Sequence, residues 1–201
     1  GRFIFPWVLD RIMLRDTHVQ RLRKELLAHA HGRVLEIGFG TGLNLPSYPT
    51  TVTSIAAIDP NPGMMPRARK RIATSGRAVD LRVADAAAIP WPDASFDTVV
   101  STFTLCSIPR VEHALHEIRR VLVPGGIFLT LEHGLSPDPD IQKWQRRLNP
   151  LNRLLAAGCS IDRNIEELVA GASLTFTDKN NDYLVGHPRL HGYATWGVAQ
   201  R

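Results

Sequence analysis

The chain is poor in cysteine: Cys106 and Cys159 are the only two in 201 residues, and neither belongs to a Cys-x-x-Cys pair. That argues against a disulfide framework, and no metal site is expected. Apolar runs fall well short of the ~20 residues a membrane-spanning helix needs. The opening stretch Gly1-Arg2-Phe3-Ile4-Phe5-Pro6 lacks the full apolar region and cleavage site of a secretory signal. Because residue 1 is Gly, an upstream segment is allowed for. Although the net charge is +5, the basic residues are scattered, with small clusters only at Arg67-Arg69-Lys70-Arg71 and Arg146-Arg147. No platform of interleaved basic and aromatic residues is present, so a nucleic-acid partner is not expected. What remains, 44% hydrophobic and 21% charged, is ordinary globular composition with enough chain for one domain and a full core.

The most informative segment is Val34-Leu35-Glu36-Ile37-Gly38-Phe39-Gly40-Thr41-Gly42. An apolar strand rises into a turn of alternating glycines, which let the backbone bend sharply and approach a ligand with no Cβ in the way. A second apolar run, Ile55-Ala56-Ala57-Ile58, ends on Asp59. A carboxylate at that strand tip suits the hydroxyls of a ribose. A dinucleotide fingerprint places its third glycine three residues after the second, where close helix packing requires it, and here that position is Leu43. The acid at Glu36 would repel a pyrophosphate but suits a cofactor that carries an ammonium group.

Apolar runs alternate with helical patterns, which argues for βα units on a parallel sheet. Strands are expected at 33–37, 54–58, 79–84, 97–101 and 127–132, with helices at 62–75 and 110–122 between them. Pro62 is read near the N1 position of the first, and Pro124-Gly125-Gly126 as the turn that ends the second. After a loop at Ser136-Pro137-Asp138-Pro139-Asp140, an amphipathic stretch runs from Ile141 to about residue 157. A short helix over 161–170, capped by Ser160 or Asp162, follows. Segments 173–179 and 191–199 complete the sheet as an antiparallel edge pair. From Phe3 to about Ala30, two helices are expected to cover the front of the sheet. Trp7, Val8, Ile12 and Leu14 give the first an apolar face that serves either as a lid or as a weak membrane-surface contact.

Ligands of open parallel sheets sit beyond the carboxyl ends of the strands. Those ends deliver Glu36 and the glycine turn, then Asp59-Pro60-Asn61 with Met64, then Asp85-Ala86, Thr102-Phe103, and Glu132-His133. Asp59 has an alternative reading as a turn residue and Asp85 as a helix cap. Together, acids at the ends of four strands point to one polar pocket.

In combination, Glu36–Gly42, Asp59, Asp85, Phe96-Asp97 and Arg120-Val121-Leu122-Val123-Pro124-Gly125-Gly126 resemble the motifs of class I, type-11 methyltransferases that use S-adenosylmethionine (SAM). Thr104-Leu105-Cys106-Ser107-Ile108, Leu131-Glu132-His133, Gly158-Cys159 and His191-Gly192-Tyr193-Ala194 are similar to thiol S-methyltransferases of animal microsomal membranes and their bacterial relatives. The chain departs from the animal enzymes in having no evident N-terminal membrane anchor, and Phe39 stands where many members carry Cys or Ala.

The resemblance implies a Rossmann-like α/β fold, a mostly parallel seven-stranded sheet with an antiparallel C-terminal edge pair and helices on both faces. It also implies a helical lid over 1–30 and a methyltransferase domain over 31–201. The implied cofactor is SAM, held by Glu36, Gly38, Gly40, Gly42, Asp59, Pro60, Asn61, Met64, Asp85, Ala86, Thr102 and Phe103. His133, with Glu132 orienting it, is the candidate base, or else it bonds the following loop. Trp7, Trp144, Cys159 and His187 are candidate acceptor contacts, though Cys159 and Trp144 are also read as packing residues. A small apolar acceptor, a thiol, is expected in a cytoplasmic protein. Methylation of O, N or C on quinone, phenol or lipid-like substrates, and SAM binding without catalysis, are the alternatives.

Overall fold

A computed structural model of the chain describes residues 15–156 and 158–201. Its elements, in chain order, are α1 (Thr17–Leu27), β1 (Gly32–Ile37), β2 (Val52–Ile58), α2 (Met65–Ser75), β3 (Val79–Arg82), β4 (Phe96–Thr102) and α3 (Val111–Val121). Then follow β5 (Leu122–His133), α4 (Pro139–Leu155), α5 (Ile165–Gly171), β6 (Thr175–Tyr183), the short α6 (Arg189–Gly192) and β7 (Tyr193–Gln200). Short 3-10 turns lie at Leu45–Ser47 and Leu105–Ser107.

The seven strands form one sheet in the order β3-β2-β1-β4-β5-β7-β6. Strands β1 to β5 pair in parallel, while β7 joins β5 and β6 antiparallel. Both faces of the central strands are covered, so neighbouring apolar residues such as Val34-Leu35, Ile55–Ile58 and Val99-Val100 are buried side by side. On one face Val34, Ile55, Ala57, Val100, Leu129 and Val198 pack with Val19, Leu22, Leu26 and Leu27 of α1 and Ala68 of α2. On the other, Leu35, Ile37, Val99 and Phe128 pack with Leu115 and Ile118 of α3 and Ile165 and Val169 of α5. This is the expected fold class, antiparallel edge pair included.

Several boundaries differ from expectation for local reasons. The helix expected from residue 62 begins at Met65, with Pro66 rather than Pro62 in its first turn. The Asn61 side chain accepts from the Gly63 amide at 3.0 Å, turning the chain before the helix can start. Strand β3 stops at Arg82 rather than 84. Pro124-Gly125-Gly126 does not separate helix from strand: β5 starts at Leu122 and runs through these residues, with a register shift against β4 between Phe96 and Thr98. The helix expected at 161–170 starts at Ile165, capped by Asn164. Asp162 is engaged elsewhere, by Asn149 Nδ2 at 2.7 Å, and so does not cap. The first N-terminal helix, with Trp7, Val8, Ile12 and Leu14, lies outside the described residues. Among the described residues, no helix is long and apolar enough to cross a membrane.

Candidate functional site

Beyond the carboxyl ends of β1 and β4, neighbours where the strand order reverses, two loops meet. The glycine turn follows β1; Gly38, Gly40 and Gly42 have φ of 68°, 57° and 83°. A Cβ on Gly38 would fall 2.2 Å from Thr104 Oγ1, in the loop after β4. One on Gly42 would fall 3.0 Å from Phe39 Cζ, because the buried Phe39 ring backs the turn. At Gly40 the Cβ direction is open, its nearest neighbour being the Gly38 carbonyl oxygen at 3.9 Å. Gly38 and Gly42 are thus required by internal packing, whereas Gly40 leaves space in front of the turn.

The four strand-end carboxylates have four different surroundings. Asp59, 7% exposed, accepts from the Gly40 amide on one oxygen and from the Asn61 amide on the other, both at 2.8 Å. Its oxygens therefore hold the tip of the glycine turn while each keeps acceptor capacity. Burial pushes its carboxyl above the usual range. Glu36, 2% exposed, accepts from Asn44 Nδ2 at 2.9 Å and Tyr48 Oη at 2.7 Å. Burial raises it to about 7. Glu132 is fully buried and accepts from Ser101 Oγ at 2.7 Å and from the amides of Thr104, Leu105 and Cys106 at 3.0, 3.0 and 3.3 Å. These bonds fold the chain leaving β4 back against β5, and they point away from His133, its alternating neighbour on the strand. Asp85 is exposed; it accepts from the Ala87 amide at 2.9 Å and pairs with Arg110 at 2.8 Å, and both interactions lower its carboxyl.

Strand ends also place Thr102, Phe103 and His133 together. Phe103 has φ of 52°, and its ring lies 4.7 Å from the imidazole of His133. Burial pushes His133 down to about 4, so the ring is neutral at ordinary pH. Its Nδ1 is buried without a hydrogen-bond partner among the described residues. Met64 and Ala86 are buried, and Pro60 is exposed.

Of the candidate acceptor contacts, Trp144 is half exposed, with Arg147 5.5 Å from its ring centroid. His187 Nε2 lies 2.6 Å from Asp16 Oδ2 at the start of α1. Cys159 meets Cys106 with sulfurs 3.4 Å apart. Trp7 is outside the described residues.

A buried network went unread in the sequence. Arg23, 3% exposed, donates to Asn44 Oδ1 at 2.5 Å and Thr102 Oγ1 at 3.2 Å, joining α1 to the ends of β1 and β4 through Glu36. The signal was there: Arg23 sits inside the apolar stripe Val19, Leu22, Leu26, Leu27, where a solvated cation has no place.

Comparison with known proteins fits this geometry. Residues 35–130 match the model of a methyltransferase domain. The human thiol S-methyltransferase TMT1A is 33% identical over 208 residues, spanning 94% of this chain and 85% of that protein. The chain belongs to this methyltransferase family. A phosphatidylethanolamine N-methyltransferase of Cereibacter sphaeroides is 38% identical over 116 residues, 55% of this chain and 57% of that one. Among solved structures, a methyltransferase bound to the Trm112 activator of Haloferax volcanii superposes with TM-score 0.76 at 18% identity, covering 100% of this chain and 97% of that one. The N-methyltransferase NodS of Bradyrhizobium japonicum, in complex with S-adenosyl-L-homocysteine, gives TM-score 0.70 at 14% identity over 94% of this chain and 90% of that one. The methyltransferase uses SAM. The open space at Gly40 beside the Asp59 carboxylate fits such a group.

Proposed function

We propose that the methyltransferase transfers the SAM methyl to sulfur on a small apolar thiol. The observation that carries this reading is the reach of the likeness to TMT1A, 94% of the chain, which extends past Glu132 into the segments that build the acceptor side. SAM supplies an electrophilic methyl on a sulfonium, so the protein's task is binding and orientation.

Asp59 takes the ribose hydroxyls, and Gly40 admits the cofactor against the turn. Gly38, Gly42, Pro60, Asn61, Met64, Ala86, Thr102 and Phe103 line the same side, with Asp85 toward the adenine amino group. Glu36 and Glu132 act as positioning residues, since their oxygens are taken up by Asn44 and Tyr48, and by Ser101 and the amides after β4. Helix α1 is tied to the loop after β1 by Arg23.

His133 stays neutral in this reading and is not the base for the acceptor, which arrives as the thiolate. Moving a proton from a thiol of pKa ~8.5 to an imidazole at about 4 is uphill by roughly 6 kcal/mol. Taking the thiolate from neutral solvent costs only about 2 kcal/mol, so that route wins.

Transfer of tritiated methyl from SAM to a panel of small thiols, phenols, amines and phosphatidylethanolamine vesicles tests the proposal. Label is expected in thioether. Label in ether or N-methyl products with none in thioether overturns it. Labelled phospholipid would favour the second reading, lipid N-methylation, which rests on the 38% identity to the Cereibacter enzyme over 116 residues.

A further inference from the structure

The two cysteines lie 53 positions apart in the chain, yet their sulfurs are 3.4 Å apart and share a hydrogen bond. Neither is in a disulfide. Cys106 is buried in the 3-10 turn after β4, and Cys159 is half-buried in the segment between α4 and α5. Backbone and side-chain bonds hold the two segments together on either side of the sulfurs. The Ser160 amide donates to the Cys106 carbonyl at 2.8 Å, while Asn152 Nδ2 of α4 anchors the Cys159 carbonyl at 2.7 Å. Arg163 donates to the carbonyls of Leu105 and, at 2.7 Å, of Ile108, bracketing the turn. Sulfurs in van der Waals contact between segments already bonded to each other need little backbone movement to join.

The pair is also chemically asymmetric. Contact with Cys106 holds the Cys159 thiol below its ordinary range, and the same contact holds Cys106 well above it. The first thiolate therefore forms on the more accessible sulfur, with Cys106 as its resolving partner.

We propose that Cys106 and Cys159 form a redox-active dithiol that closes to a reversible disulfide, stapling the turn after β4 to the segment after α4. A hydroperoxide is the oxidant. The Cys159 thiolate attacks the peroxide oxygen, breaking the O–O bond to give a sulfenic acid and releasing the other oxygen as water or alcohol. The Cys106 sulfur then displaces the sulfenic oxygen as water. Two electrons and two protons leave the pair, and a dithiol reductant restores both thiols.

The test is a thiol count that does not depend on methyl transfer. Folded protein is exposed to hydrogen peroxide, quenched, denatured and alkylated with iodoacetamide, then weighed and mapped by mass spectrometry. The expected result is loss of both alkylated thiols in the monomeric chain, a tryptic cross-link between the Cys106 and Cys159 peptides, and recovery of two thiols after dithiothreitol. In Cys106→Ser the oxidised chain should carry a dimedone-trapped sulfenic acid at Cys159. Retention of both thiols in the wild type, cross-links only between chains, or dimedone trapping at Cys106 in Cys159→Ser with none at Cys159 in Cys106→Ser overturns the proposal.

Discussion

Asp59 and Glu36 are both acids at strand ends, and the structure gives them different work. Asp59 holds the Gly40 amide with oxygens that retain acceptor capacity toward a ligand. Asp59→Ala should weaken binding of SAM and S-adenosylhomocysteine by roughly 10- to 100-fold, the loss of one or two hydrogen bonds to a charged acceptor. Calorimetric titration reads this, and unchanged affinity would remove Asp59 from the site. Glu36 binds protons more tightly when folded, with its carboxyl raised from 4.5 to about 7. The folded state thus holds more protons than the unfolded one in that window, so Glu36 withdraws about 3 kcal/mol of stability as pH rises through it. His133, lowered from 6.5 to about 4, does the reverse and adds about 3 kcal/mol as pH rises through its own window. Denaturant unfolding of Glu36→Gln, taken relative to wild type, should therefore show a difference that grows in favour of the variant from acid to neutral pH. For His133→Asn the difference should run the other way. Flat difference curves would contradict both assignments. In the sequence these residues were legible as strand-end polar groups. Their roles were not, because Asn44 and Tyr48, which occupy the oxygens of Glu36, come from a loop with no periodic signal.

Elements were readable where a single period dominated. Strands β1, β2 and β4 and helix α3 appear within a residue or two of expectation, since buried parallel strands and an amphipathic helix carry strong patterns. Ends were less so, because capping candidates compete: Ser160, Asp162 and Asn164 are all good caps by type. Asn164 is the one whose side chain reaches the amide three residues on, at 3.3 Å from Glu167. At the loop end of the edge pair, β6 runs on to Tyr183 beyond the expected 179, while β7 starts at Tyr193 rather than 191. The register depends on Gly197, where a Cβ would lie 2.1 Å from the Asp178 carbonyl oxygen. Since the obstructing atom is backbone, Gly197→Ala should destabilise the fold by about 1–3 kcal/mol through separation of the two strands. Thermal unfolding measures this, and a melting temperature equal to that of wild type would show that the pairing gives way freely.

At the scale of the whole molecule, the strand order places the reversal between β1 and β4, with the glycine turn on one side and Thr102-Phe103-Thr104 on the other. A crevice at that position is where open α/β sheets bind ligands. The candidate cofactor side was legible because Glu36–Gly42, Asp59, Asp85 and Thr102-Phe103 each follow an apolar strand run that the sequence shows. The candidate acceptor contacts were less so, because Trp144, Cys159 and His187 stand on separate segments with no shared sequence pattern. The most direct test of the central claim uses two apolar aromatic acceptors that differ only in bearing a thiol or a hydroxyl. Measured as kcat/KM with SAM across about pH 6–10, transfer to the thiol should rise with its thiolate fraction and level off above its pKa, yielding thioether. Methyl ether from the hydroxyl partner with no thioether at any pH would contradict it.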